Sequence, residues 1–209
     1  LKASAALKYL YKNNFNEHYL TKILSLGNIG IKHQRKLVPT KWSITAVDDT
    51  IGKEIINYIK DLSYSDYLVF YGSHFGNHYL VLLFPDAWSY ELFEICVSIE
   101  ERQPFGRDYE GYYGRKTYAK NTAGGYYAAR LAIVEKLKKM KRQAKILCLR
   151  FIDSSYYAPL GVWVCREACR NAMKAKPLKF SDKELMLIYA KKFIKKKFNY
   201  DLDLSLIHI

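Results

Sequence analysis

The chain has 209 residues, half of them apolar, and a formal net charge of +14. Such a composition excludes a disordered tail, and no run approaches the roughly 20 apolar residues that a membrane-spanning helix needs. So large a positive surplus on one compact unit points to a polyanionic partner, against the alternative of lysines spread evenly by composition.

Residues 2–12 and 16–26 repeat apolar side chains three or four apart (Leu7, Leu10; Leu20, Ile23, Leu24), which predicts two helices. Glycine, charge and proline in 27–39 break the pattern. "KWSITAV" (41–47) reads as a short strand and "DDTIGKEIINYIKDL" (48–62) as a helix, with Asp48 and Asp49 suited to its positive N-terminal end. Two apolar runs in 66–85, around Gly72, Gly76 and Asn77, read as a hairpin, and "WSYELFEICVSI" (88–99) as a third strand. Residues 100–121, rich in Gly, Tyr and charge and without a period, read as a long loop. A helix over 123–141 follows, capped by Thr122 or Asn121. "AKILCLRFI" (144–152) and "LGVWVCRE" (160–167) read as strands and "REACRNAMKA" (166–175) as a short helix. A last helix over 181–198 opens on a capping box of Ser181 and Glu184. The sum is an α+β fold: a mixed or mainly antiparallel sheet flanked by helices, forming a single compact unit. The strands near 68–71, 79–84, 91–98, 145–151 and 161–165 are expected to share that sheet.

The richest functional signal is residues 105–130, where Tyr109, Tyr112, Tyr113, Tyr118, Tyr126 and Tyr127 interleave with Arg107, Arg115, Lys116, Lys120 and Arg130. Aromatic faces stack on unpaired bases and cations meet phosphates; the plain alternative is that many of these tyrosines are core. Gly124 and Gly125 open the helix either to admit a phosphate at its N-terminus or to allow tight packing. Tyr126 and Tyr127 point in different directions, so at most one reaches a nucleic acid; Arg130 shares the face of Tyr126. The expected nucleic-acid contacts are Lys41, Arg115, Lys116, Lys120, Gly124, Gly125, Tyr126, Arg130 and Arg142, with Arg170 expected on the same positive surface.

Other chemistries have weaker support. "GYYGRKT" lacks the GxxxxGK[ST] spacing of a phosphate-binding loop. Asp48, Asp49, Glu91, Glu94, Asp108, Glu110 and Glu167 supply carboxylates without a nuclease pattern; Asp48 and Asp49 are more simply helix-start residues, and Arg166–Glu167 an ion pair. His74 and His78 flank the hairpin turn without a third ligand, and Cys165 and Cys169 have no second pair at zinc distance. Cys96, Cys148 and Cys165 lie in apolar runs, as in a reduced intracellular protein. No catalytic residue, metal ligand or cofactor is assigned within the chain.

Four segments, "RKLVPTKWSITAVDDTI" (35–51), "YYGRKTYAKNTAGGYYAARLAIVEKL" (112–137), "RQAKILCLRFI" (142–152) and "PLGVWVCREACRNAM" (159–173), together resemble the archaeal Nre DNA repair proteins. The resemblance covers most of residues 24–175. It implies that residues 1–103 are the latter part of the family's N-terminal region and 104–209 its C-terminal region, packed as one unit. It further implies a cytoplasmic archaeal protein that takes part in DNA repair, has DNA as a partner, and contacts the sliding clamp (PCNA) through a short C-terminal peptide. It also implies a zinc-like cysteine cluster upstream of Leu1. "NYDLDLSLIHI" (199–209) does not supply the glutamine and spaced apolar residues of the clamp peptide, and its ending reads as a truncation. The chain starts without Met inside an amphipathic stretch, so it reads as a fragment. DNA binding or scaffolding at damaged DNA is the leading reading; the rival is a metal-dependent repair enzyme acting on phosphodiester bonds. A membrane partner is not expected.

Overall fold

The run Tyr79–Phe84 has no polar alternation, a pattern suited to a strand covered on both faces. In the computed structural model, which describes residues 1–97, 104–156 and 161–203, that is its position. Helices α1 (Ala3–Lys12), α2 (Glu17–Ser25) and α3 (Thr40–Ile59) come first, with a 3-10 turn at Lys32–Gln34. Strands β1 (Tyr67–His74), β2 (Asn77–Phe84), β3 (Ser89–Cys96) and β4 (Pro104–Glu110) follow. Helix α4 (Ala123–Met140), β5 (Lys145–Ile152), α5 (Val162–Lys174), β6 (Leu178–Phe180) and α6 (Lys183–Phe198) complete the order.

The six strands form one sheet in the order β4-β3-β5-β2-β1-β6. All neighbours are antiparallel except β3 and β5, which run parallel. A parallel pair needs a crossover, and the chain supplies it through β4 and α4. β1 and β2 are joined by Phe75 and Gly76, both at positive φ, which suits the twist of a tight hairpin.

Successive side chains of β2 enter two different cores. Tyr79, Val81 and Leu83 join Ile51, Ile55, Leu131, Val134, Ala168 and Cys169 on the face covered by the first five helices. Leu80, Leu82 and Phe84 join Phe151, Met186, Ala190 and Ile194 on the face covered by α6. The fold is therefore α+β with helices on both faces of a mixed sheet. Strands from both halves of the chain are interleaved in it, with β5 between β3 and β2.

Several local expectations change. "KWSITAV" is the start of α3, not a strand. Ser43, Val47, Ile51, Ile55 and Ile59 recur every four residues on its buried face, and the Thr45 and Thr50 hydroxyls donate to carbonyls one turn back. Asp48 and Asp49 are thus mid-helix. "LGVWVCRE" is likewise helical from Val162 onward: Val164/Cys165, Ala168/Cys169 and Ala172/Met173 are buried at helical spacing. Residues 104–110 of the expected long loop pair with β3 as an edge strand. The capping residue of α6 is Asp182, which accepts from Leu185 N–H at 2.8 Å, one residue after the expected Ser181. The expectations that touch residues 98–103, 157–160 and 204–209, including the ending "LSLIHI", lie outside the described residues.

Candidate functional site

At the entrance of α4, sequence had left two readings of the glycine pair, and packing decides between them. A Cβ on Gly124 would overlap the Val162 Cγ1 methyl, and one on Gly125 would sit 2.5 Å from Glu94 Oε1 and 3.3 Å from Arg150 Nη1. The positive end of α4 is answered by the protein's own carboxylates. Asp108 Oδ2 accepts from Asn121 N–H at 2.9 Å, Thr122 N–H at 2.8 Å and the Thr122 hydroxyl at 2.9 Å. Burial pushes the Glu94 carboxyl up, opposed by Arg150, whose Nη1 donates to it at 2.5 Å.

Tyr126, Tyr127 and Arg130 turn inward. All three are buried, Arg130 with 1% of its surface exposed. Arg130 Nη1 donates to Glu110 Oε2 at 2.7 Å and Nη2 to Asp49 Oδ1 at 2.5 Å, and its guanidinium lies over the Tyr126 and Tyr127 rings. Burial of Arg130 works against its charge, but Glu110 and Asp49 outweigh it and hold the guanidinium protonated. Burial also pushes the Tyr126 hydroxyl far up. Gly125, Tyr126 and Arg130, expected at a nucleic-acid surface, are therefore buried, and Arg130 is met by the buried Glu110 and the partly exposed Asp49 before any phosphate.

Arg115 is half-way between. It donates to the carbonyls of Tyr109 at 2.7 Å and Thr117 at 3.2 Å and pairs with Asp108 at 2.9 Å, so it staples the loop 111–118 to the end of β4. Lys41, Lys116, Lys120 and Arg142 are exposed. Arg142 follows the C-terminal end of α4, an 18-residue helix, so it stands about 27 Å from the residues at the other end. Arg170, expected on the same positive surface, is committed to Glu135 at 2.9 Å and Glu17 at 2.6 Å.

What the fold brings together is a cleft of about 420 Å³ between α3, Lys8 of α1 and the loop 111–118, with Arg130 and Tyr127 beneath it. Of the described residues lining it, Lys8, Lys53, Lys60, Arg115, Lys116 and Arg130 are cationic, and Asp49 and Glu110 are the carboxylates. Lys53 pairs with Asp49 at 2.7 Å, and Lys60 lies over the Tyr112 ring at 4.5 Å. Trp88 also lines the cleft and carries a buried indole N–H without an acceptor. Sequence reasoning had placed Arg115, Lys116 and Arg130 near one another but missed Lys8, Lys53 and Lys60. Lys60, which caps the end of α3, follows Lys53 by seven residues, two helical turns on one face, a spacing visible in the sequence once that helix is recognised.

Remaining ionisable clusters are mostly structural. Arg166 Nη1 donates to Asp48 Oδ1 at 2.6 Å and joins α5 to α3, rather than pairing chiefly with Glu167. Burial lifts the Asp48 carboxyl to about 6 even beside Arg166. His78 is held through both ring nitrogens, by the Tyr71 hydroxyl at 2.8 Å and Asp153 at 2.6 Å. Burial raises the Cys165 and Cys169 thiols, which lie on the buried face of α5. Among the described residues Glu17, His18 and Glu167 lie close enough to share a cation, but Arg170 already bridges both glutamates.

Residues 1–99 match the family "Archaeal Nre, N-terminal" and residues 110–206 match "Archaeal Nre, C-terminal". The chain is 42% identical to "DNA repair protein NreA" of Archaeoglobus fulgidus over 94% of its own length and 51% of that relative. It is 41% identical to "DNA repair protein NreA" of Haloferax volcanii over 82% of its length and 43% of that relative. Its identity to "DNA repair protein NreB" of Archaeoglobus fulgidus is 39%, over 96% of its length and 51% of that relative. The chain thus spans about half the length of the curated relatives it matches. No solved structure matches it. No helix among the described residues is long and apolar enough to cross a membrane.

Proposed function

Because this chain belongs to the archaeal Nre family, we propose that it serves DNA repair by binding DNA, with the cleft between α3 and the loop 111–118 holding the phosphate backbone. The observation that carries the reading is the lining of that cleft, in which six cations face two carboxylates among the described residues. Arg130 from below offsets one of the two negative charges of Asp49 and Glu110, so the lining keeps a net positive charge. Lys60 and Lys116 can direct theirs to an incoming polyanion, joined by Lys53 where it exchanges Asp49 for a phosphate, and release of counterions would drive binding. Such contacts position a backbone and carry no base sequence.

The test is binding of a fluorescein-labelled DNA duplex by anisotropy. Lys53→Ala with Lys60→Ala is expected to weaken it at least tenfold. Lys192→Ala, on α6 across the sheet from the cleft, is expected to leave it within twofold. Equal effects of the two variants would remove the cleft from the DNA surface.

A further inference from the structure

Beside the cationic cleft lies a second, open hollow of about 440 Å³, lined by Trp42, Ala46, Asp49, Thr50 and Tyr118. It shares Asp49 and Tyr118 with the cleft, so the two are continuous. We propose that this hollow receives an unpaired nucleobase, stacked between the Trp42 and Tyr118 rings, while the adjoining cleft holds the sugar–phosphate backbone on either side of it. The inference rests on the backbone-binding reading of the cleft and adds what that reading lacks: a reason to prefer damaged or distorted DNA over an intact duplex.

Three observations carry it. Trp42 and Tyr118 are 63% and 54% exposed, large apolar rings left in water on facing elements, the first turn of α3 and the loop 111–118. Tyr118 is held in place, its ring resting on the buried Tyr127 with centroids 4.7 Å apart. Trp42 projects from the first turn of α3 into the lining of the same hollow. A ring already held presents its face to a flat guest at little further cost in side-chain entropy. The surroundings are cationic: Lys41 precedes Trp42, Lys116 stands two residues before Tyr118, and Lys53 is paired with Asp49 of the shared wall. A flat aromatic guest bearing a negative tether fits both halves, whereas an apolar peptide would leave the lysines unanswered. Every base offers a π-face, so the hollow is expected to take any of the four.

The experiment compares two duplexes of one sequence, one carrying a single bulged nucleotide and the other an abasic residue at the same bulge. Flanking sequence and phosphate count are then the same, and the base is what differs. One stacked base is expected to favour the first duplex by about 5- to 150-fold. Trp42→Ala should lower the nucleobase-bulge affinity to the abasic value, and Trp42→Phe should keep most of the preference. The exposure of Trp42 makes loss of folding an unhelpful explanation for either result. Equal binding of the two bulges by the unaltered chain would overturn this inference and leave the backbone reading standing. So would a preference that survives in Trp42→Ala. If neither duplex binds, both readings fall.

Discussion

Replacing Arg166 with Met tests the tie between α3 and α5. Asp48 is fully buried; its Oδ1 accepts from Arg166 at 2.6 Å, while Oδ2 has no hydrogen-bond partner. Burial lifts its carboxyl to about 6, and the charge and hydrogen bond of Arg166 only partly pull it back. A carboxyl raised in the folded state favours folding when protonated. Its contribution is therefore greatest at low pH and is lost as pH rises from about 4 to about 6. Two pH units at about 1.36 kcal/mol each make this roughly 3 kcal/mol. Glu17, in the same network, acts with the opposite sign. Burial alone would raise it, but Arg170 bonds hold it below the usual range, so its stabilisation is lost as pH falls below about 4. Without Arg166, the buried Asp48 charge has lost its main partner, and unfolding free energy should drop by about 3–5 kcal/mol at pH 8. The drop should be smaller at pH 5, where Asp48 is largely neutral. Urea denaturation followed by circular dichroism at both pH values measures it. Asp48→Asn combined with Arg166→Met should recover much of the pH 8 loss. A loss below about 1 kcal/mol at pH 8, or one equal at both pH values, would refute the buried-pair reasoning.

Two further outcomes follow from the geometry at the α4 entrance. Gly125→Ala places a methyl 2.5 Å from Glu94 Oε1 and should cost about 1–3 kcal/mol, seen as a lower melting temperature, with DNA affinity of the folded fraction unchanged. A stable variant with weakened DNA binding would return the glycine to the DNA surface. Arg115→Ala removes the staple between Tyr109, Thr117 and Asp108, so limited proteolysis should newly cut within 111–120; an uncut loop would show that the staple is dispensable.

Much of the architecture was legible because it is written in long apolar runs. "NHYLVLLF" and "KILCLRFI" pack on both faces of the sheet, and nothing but a covered strand accommodates them. The failures share a cause. "KWSITAV" and "GVWVCRE" are short and β-branched, and propensity favours a strand there. Their true period appears only when the window extends to Ile59 or Met173, where burial every four residues decides for helix. β4 was hidden because its sequence, "PFGRDYE", resembles a loop. Its place in the sheet depends on β3 being next to it.

The candidate site was half legible. The interleaved tyrosines and cations of 105–130 do border the cleft, but the sequence could not tell which face inward. Arg130 looks like any cation beside an aromatic until Asp49, far off in the chain, and Glu110 are brought against it. The Lys53 and Lys60 contribution was obscured in the same way, since it depends on α3 lying over the loop. Asp108 capping α4 from β4 is a long-range contact that no local pattern announces.

The most direct test of the central claim is the salt dependence of duplex binding by the unaltered chain and by the triple variant Lys53→Ala, Lys60→Ala, Lys116→Ala. Each backbone contact contributes about 0.9 to the slope of log K against log salt concentration. If the three lysines meet phosphates, the triple variant should bind more weakly and its slope should be shallower by about 2 to 3. A folded triple variant with unchanged affinity and an unchanged slope would contradict the account and place the DNA surface elsewhere on the molecule.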